Sequence, residues 1–294
     1  MPNVDQFESV FRAATREVFA YAPIAVRRVM VVTDLPETEA YPVGEKLKNF
    51  LSVLGGESSE TAWDIVPGPE FRSVDDLLKI VEKAGPDLII TWRHLHSPVS
   101  IRGSTQGHTL GDHAAELTQS INIPVMLCPH PKTQEPNIRG FRGLENTNVV
   151  MAMTNHLSGD NRLVNWAVRL TEPQGTLWLT HIEDERTFAR YLDAISKIDT
   201  IDTDNARETI RDRLLSDPRN FIDSCQQVLH EAAVPLTIEQ VVTTGRHLRE
   251  YQSLIEKHAV DLLILNTKDE EQMAMHGLAY ALAVELRHIP LLLL

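Results

Sequence analysis

Residues 121–128 read INIPVMLC and residues 287–294 read RHIPLLLL. Each joins an Ile-Pro pair to an apolar run far shorter than the roughly 20 residues a membrane-crossing helix needs. An apolar run of this length suits a strand buried on both faces, as in a parallel sheet covered by helices. The same strand twice in one chain implies an internal repeat. Three further landmarks recur in the same order. VMVVTD (29–34) matches VMAMTN (150–155), setting Asp34 opposite Asn155. GPDLIITWR (85–93) matches AVDLLILNT (259–267), and Gly111 and Gly277 each precede the Ile of the Ile-Pro pair by twelve positions. The chain reads as a tandem duplication.

Between the landmarks the hydrophobic period changes from strand to helix. Val43, Leu47, Phe50, Leu51 and Leu54 follow the spacing of a helix with one buried stripe, as do Leu163, Trp166, Ala167 and Leu170 in the second copy. Ser73 with Asp76 three residues later opens a helix over Val74, Leu77, Leu78 and Val81 through a capping pair. Leu248, Tyr251, Ile255 and Ala259 are its counterpart. Strands alternating with helices of this length predict βαβ units and a mostly parallel sheet.

The copies differ in length: 53 residues separate Asp34 from Asp87, and 106 separate Asn155 from Asp261. The second copy holds a strand at WLTHIED (178–184), a helical insertion over 184–234, and a strand at PLTIEQVVTTG (235–245). The insertion reads as three helical segments, the last opened by Asp217-Pro218, because Pro is tolerated in a first turn and Asp caps. The first copy has only TAWDIVPG (61–68) at this point, so it is one strand and one helix short. The Pro- and Gly-bearing stretch 130–148 reads as a linker, dividing the chain into a shortened unit at 1–135 and a second at 148–294. The N-terminal stretch with Phe7, Val10, Phe11, Ala14 and Val18 predicts an amphipathic helix docked on the protein's own sheet.

Composition narrows the function classes. A net charge of −13 with no cluster of basic residues argues against nucleic acid. No segment has the length of a membrane span, and the N-terminus has no apolar core of a signal peptide. Two cysteines, Cys128 and Cys225, form no CxxC and fall on apolar stripes, so a reducing, cytoplasmic setting is expected.

At the four landmarks, over nearly the whole chain, the sequence resembles the universal stress protein family in its tandem form. The resemblance implies doubly wound α/β units with a five-stranded parallel sheet of order 3-2-1-4-5. It also implies that the last strand of each unit joins two units. Applied here, 123–128 and 289–294 pair as an intramolecular pseudo-dimer, with further homo-oligomers open. Some members of that family bind ATP through G-x2-G-x9-G-[ST], and others act as regulators without it. Glycines let the backbone approach phosphates, which a hydroxyl and a helix N-terminus then hold. Gly111 fits the last glycine, but Pro98 and Ile101 stand at the earlier positions, with Gly103 and Gly107 nearby in another register. Asp112 replaces the hydroxyl, and its carboxylate repels phosphate. Asp34 stands where the family holds adenine. In the second copy Ile264, Thr267, Gly277 and Leu278 occupy the motif, and Asn155 replaces the Asp. ATP binding is thus expected to be weak or absent, with Gly111 and Gly277 serving a tight helix entry.

The loop also carries His94, His96, His108 and His113, an alternative metal site, although it lacks HExxH or finger spacing. No nucleophile elbow or P-loop is present, and Ser104 and Ser158 have no base at a defined spacing. The expected function is a non-enzymatic stress-response or regulatory protein acting through protein or small-ligand contacts. The alternatives are an ATP-binding protein or slow ATPase using the first copy, and a metal-responsive regulator using the loop 94–113.

Overall fold

The computed structural model describes residues 19–55, 61–96, 109–132, 140–154, 161–197, 203–267, 275 and 277–294. The first unit runs β1 (Arg28–Val32), α1 (Glu37–Phe50), β2 (Ala62–Val66), α2 (Val74–Ala84), β3 (Leu88–Trp92), α3 (Asp112–Ser120) and β4 (Val125–Cys128). The second begins β5 (Val149–Met153), α4 (Asn161–Leu170), β6 (Thr176–Asp184), α5 (Glu185–Ile195) and α6 (Thr203–Glu231). It continues β7 (Thr237–Gly245), α7 (His247–His258), β8 (Leu262–Leu265), α8 (Gly277–Glu285) and β9 (Leu291–Leu293).

The strands form one sheet of order β2-β1-β3-β4-β9-β8-β5-β6-β7. Numbered within itself, the second unit has the order 3-2-1-4-5. The first has the same order without strand 3, leaving β2 at the edge. All pairings are parallel except β4 with β9, which is antiparallel. There Val125 faces Leu293, Met126 faces Leu292 and Leu127 faces Leu291. The repeat equates Val125 with Leu291 and Leu127 with Leu293, so the outer pairs exchange under a two-fold rotation. An interface of this kind is self-complementary. The terminal strands thus meet as the family resemblance implied.

Burial explains their composition. Every residue of β3, β4, β8 and β9 is buried, because helices cover both faces and no water-facing side remains to be polar. Two apolar cores, one on each face, run across both units. α2 begins as expected: the Ser73 hydroxyl accepts from the Asp76 amide at 3.2 Å, and Asp76 Oδ2 accepts from the Ser73 amide at 3.3 Å. These bonds hold the Asp76 carboxyl below its ordinary range. Gly85 ends the helix in the left-handed region, φ 58°.

Two expectations need correction. Asp217-Pro218 does not open a helix; Pro218 lies inside the 29-residue α6. An internal proline costs about 3 kcal/mol. Here Leu215, Pro218, Ile222, Cys225 and Leu229 form an unbroken buried stripe, and its burial offsets that loss. Ala259 lies just past α7 in a left-handed conformation, closing that helix rather than extending it.

The described chain starts on the second unit, not the first. Phe19 sets its ring edge-on to Phe221 of α6 at 6.4 Å. Asn165 accepts from the Ala22 amide and donates to the Ala20 carbonyl. The expected N-terminal helix, Asn155, Ser104, Ser158 and residues 133–139 of the linker lie outside the described residues. No helix among the described residues is long and apolar enough to cross a membrane.

Candidate functional site at the strand ends

In an open parallel sheet the chain leaves neighbouring strands in opposite directions where the order reverses, opening a crevice at their carboxyl ends. In the first unit that point lies between β1 and β3. Asp34 stands two residues past β1, Trp92 ends β3, and His130 stands two residues past β4. The three converge. Trp92 Nε1 donates to Asp34 Oδ1 at 3.1 Å, and His130 Nε2 lies 3.9 Å from the same oxygen. The His96 amide donates to Asp34 Oδ2 at 3.4 Å. Both carboxylate oxygens therefore have protein partners. Trp92 is fully buried, and its ring meets that of His130 at 5.3 Å. Burial pushes the His130 imidazolium below its ordinary pKa; Asp34 opposes that shift, while Lys132 and His94 add to it.

The backbone presses on the same place. Gly68 donates to the Leu35 carbonyl at 2.8 Å, and a Cβ on Gly68 would stand 2.7 Å from the Asp34 carbonyl carbon. Gly111 precedes α3 with φ 80° and ψ 155°, a conformation open in practice to glycine alone. A Cβ there would lie 2.7 Å from His94 Cα. Gly111 thus admits the 93–96 turn against the helix entry. Gly277 differs: among the described residues a Cβ there meets nothing within 4 Å, so no described group makes it a tight entry in the second unit.

Asp112 is exposed and is the first residue of α3, and no described side chain caps that helix end. The carboxylate does not occupy the leading amides, because at the first helical position it sits beside them rather than over them. Gly103 and Gly107 lie outside the described residues.

The histidines divide into two settings. His96 and His113 flank Phe71, at 4.6 and 5.6 Å between ring centres, and stand 5.6 Å apart. His94 is half-buried, and burial followed by the Arg287 and Arg93 cations pushes its pKa down. Burial, then His96, does the same to His113. His108 lies outside the described residues. Among the described residues no group of three or more His, Cys, Asp or Glu side chains is placed to hold a metal ion.

Arg93 carries this turn into the second unit. Its Nε donates to the Ala283 carbonyl at 2.5 Å and its Nη2 to the Leu286 carbonyl at 2.9 Å, at the C-terminal end of α8. A cation favours that end of a helix. Burial still pushes the guanidinium down to about 9. Behind it, burial raises the Cys128 thiol to about 12, which keeps it protonated and unreactive. In the second unit, His181 Nδ1 contacts the Thr154 carbonyl at 2.9 Å, and Leu278 is half-buried.

Sequence reasoning missed Trp92, Arg93 and His130. The signal available was the position of Trp92 and Arg93 at the end of the apolar run beside Asp34's strand, where the crevice of a doubly wound sheet must open.

No family model matches this chain, and no curated protein matches it. Among solved structures it is similar to a universal stress protein from Archaeoglobus fulgidus DSM 4304, at 10% identity over 92% of this chain and 98% of that one, TM-score 0.49. It is also similar to a putative universal stress protein from Pseudomonas aeruginosa UCBPP-PA14, at 11% identity over 92% and 93%, TM-score 0.47. A functionally unknown protein from Pseudomonas aeruginosa PAO1 is similar at 10% identity over 92% of each chain, TM-score 0.46.

Proposed function

We propose that this chain is a non-enzymatic, cytoplasmic stress-response regulator that acts through protein or small-ligand contacts. The observation that supports this reading most is the state of Asp34. Both its oxygens are engaged by Trp92 and the His96 amide, with the His130 imidazole close by. A nucleobase seeking that carboxylate competes with partners the protein already supplies, one of them the indole of the buried Trp92. Its strand ends are built to hold the two units in one arrangement rather than to turn over a substrate. No catalytic residue is assigned.

One observation favours nucleotide binding as a second reading: the leading amides of α3 have no described side-chain cap, and such amides attract anions. Asp112 beside them works against phosphate. Like charges roughly 4 Å apart near a surface repel by about 1–4 kcal/mol. Asp112 is exposed, so the lower end applies, about a tenfold loss of affinity. Mass spectrometry of the purified chain under native conditions is expected to find neither nucleotide nor metal. In calorimetric titration with Mg-ATP, the unmodified chain is expected to bind no tighter than millimolar. Asp112→Ser is expected to gain about tenfold, and Leu278→Ser to gain nothing. Micromolar binding by the unmodified chain would replace the first reading with the second.

A further inference from the structure

The outer edge of β2 stands where the second unit has another strand and a long helix. Val29 faces Trp63 in the first unit as its repeat counterpart Val150 faces Leu177 in the second, so Trp63 and Ile65 correspond to Leu177 and Leu179. Leu177 and Leu179 are fully buried, with β7 alongside β6 and α6 packed on both strands. Trp63 and Ile65 are only half-buried. Beside them Tyr41 of α1 is 54% exposed, the one large apolar side chain exposed among the described residues. Tyr41, Gly44, Lys48, Trp63 and Ile65 line one groove of about 390 Å³. Gly44 lets Ile65 tuck under α1, since a Cβ there would strike Ile65 Cδ1.

The backbone of β2 is also half used. The Ala62 amide donates to the Arg27 carbonyl, and the Val66 carbonyl accepts from the Thr33 amide, both inward toward β1. Residues of a parallel strand alternate in the side to which they turn their amide and carbonyl. Trp63 and Ile65 therefore turn theirs outward, with no described partner. Unpaired strand edges flanked by apolar side chains accept added strands.

We propose that this edge accepts an extended segment of a partner protein as an additional strand, with a basic residue between two apolar ones. The apolar residues lie beside Trp63 and Ile65, and the basic residue lies beside Asp64. The charge follows from Asp64, whose side chain is 44% exposed and has Arg28 Nε at 3.5 Å on its β1 side only. In the second unit the counterpart of Asp64 is Trp178, and β7 sets Glu239 against it. Against Asp64 that acidic residue must become basic. A second copy of this chain fits poorly. Laid antiparallel with its own Trp-Asp-Ile in register, it brings Asp64 onto Asp64, and each copy carries −13. This edge lies away from the strand-end crevice and does not depend on how the crevice is used.

Two synthetic peptides test it, both residues 237–245 with Gln240→Val so that apolar residues flank position 239: one keeps Glu239 and the other carries Glu239→Lys. By fluorescence anisotropy the lysine peptide is expected to bind at least about fivefold tighter. On a chain carrying Asp64→Lys the order reverses. Hydrogen exchange on the unmodified chain is expected to show added protection at the Trp63 and Ile65 amides and none at Asp64, already bonded to β1. Equal binding of both peptides, no saturable binding below millimolar, or protection at β7 instead would overturn the proposal. So would self-association of the unmodified chain through β2 in sedimentation.

Discussion

The seam between β4 and β9 makes a quantitative prediction. Met126 and Leu292 face each other on the two-fold axis, both fully buried and in the same core. Truncating either to alanine removes a buried side chain and leaves a cavity that a sheet bonded on both sides cannot collapse to fill. Each single change is expected to cost about 2–4 kcal/mol. The side chains of directly opposed residues on one face lie roughly 5 Å apart. The two voids therefore merge, and the double variant is expected to cost less than the sum by about 0.5–1 kcal/mol. Leu292→Ala with Met151→Ala is the control: Met151 lies on β5, on the other face, so those changes are expected to add within about 0.5 kcal/mol. Urea unfolding followed by tryptophan fluorescence and by circular dichroism gives all six stabilities, that of the unmodified chain included. A domain's whole stability is about 5–15 kcal/mol, so the double variants need measurement at low temperature. Additivity of Met126→Ala and Leu292→Ala within 0.3 kcal/mol, or a cost under about 1 kcal/mol for each, would refute the seam as the joint of the two units.

The two landmark glycines are expected to respond differently to alanine. Gly111→Ala forces a Cβ into the His94 backbone at φ 80° and is expected to cost about 1–3 kcal/mol in thermal or urea unfolding. Gly277→Ala adds a Cβ that meets no described residue at a helix start, and is expected to leave stability unchanged or raise it by up to about 1 kcal/mol. Equal effects would show that Gly111 is not held by that contact. Acidification gives a further test, because His94, His113 and His130 all lie below their ordinary 6.5 in the folded chain, burial being the first cause of each. Below pH 6.5 the unfolded chain then binds more protons than the folded one, so stability is present above that pH and is lost as pH falls through it. The urea midpoint is expected to drop between pH 7 and 5.5, above the range where carboxylates titrate, and less so in His130→Gln; a flat midpoint would contradict the burial of these rings.

What the sequence by itself determined is the repeat and its consequences. INIPVMLC and RHIPLLLL suited strands buried on both faces, since four consecutive apolar residues have no alternation to offer water. With the Asp-Leu strands and the stripes of Val43 to Leu54 and Leu163 to Leu170, they sufficed for a mostly parallel sheet, while its order and the pairing of the terminal strands were what the resemblance to the universal stress protein family implied. The shortened first unit was legible as missing length. Tertiary structure alone decided what depends on neighbours distant in sequence. Whether Asp34 is free or engaged depended on Trp92, 58 residues away, and His130, 96 away, meeting it at the strand ends. Pro218 reads locally as a helix start, and only the buried stripe continuing through it keeps α6 whole. Gly111 and Gly277 occupy the same place in the repeat, yet among the described residues a backbone presses on Gly111 and none on Gly277. Periodicity encodes which face of an element is buried; it does not encode which groups meet across the fold, and a site is made of those meetings.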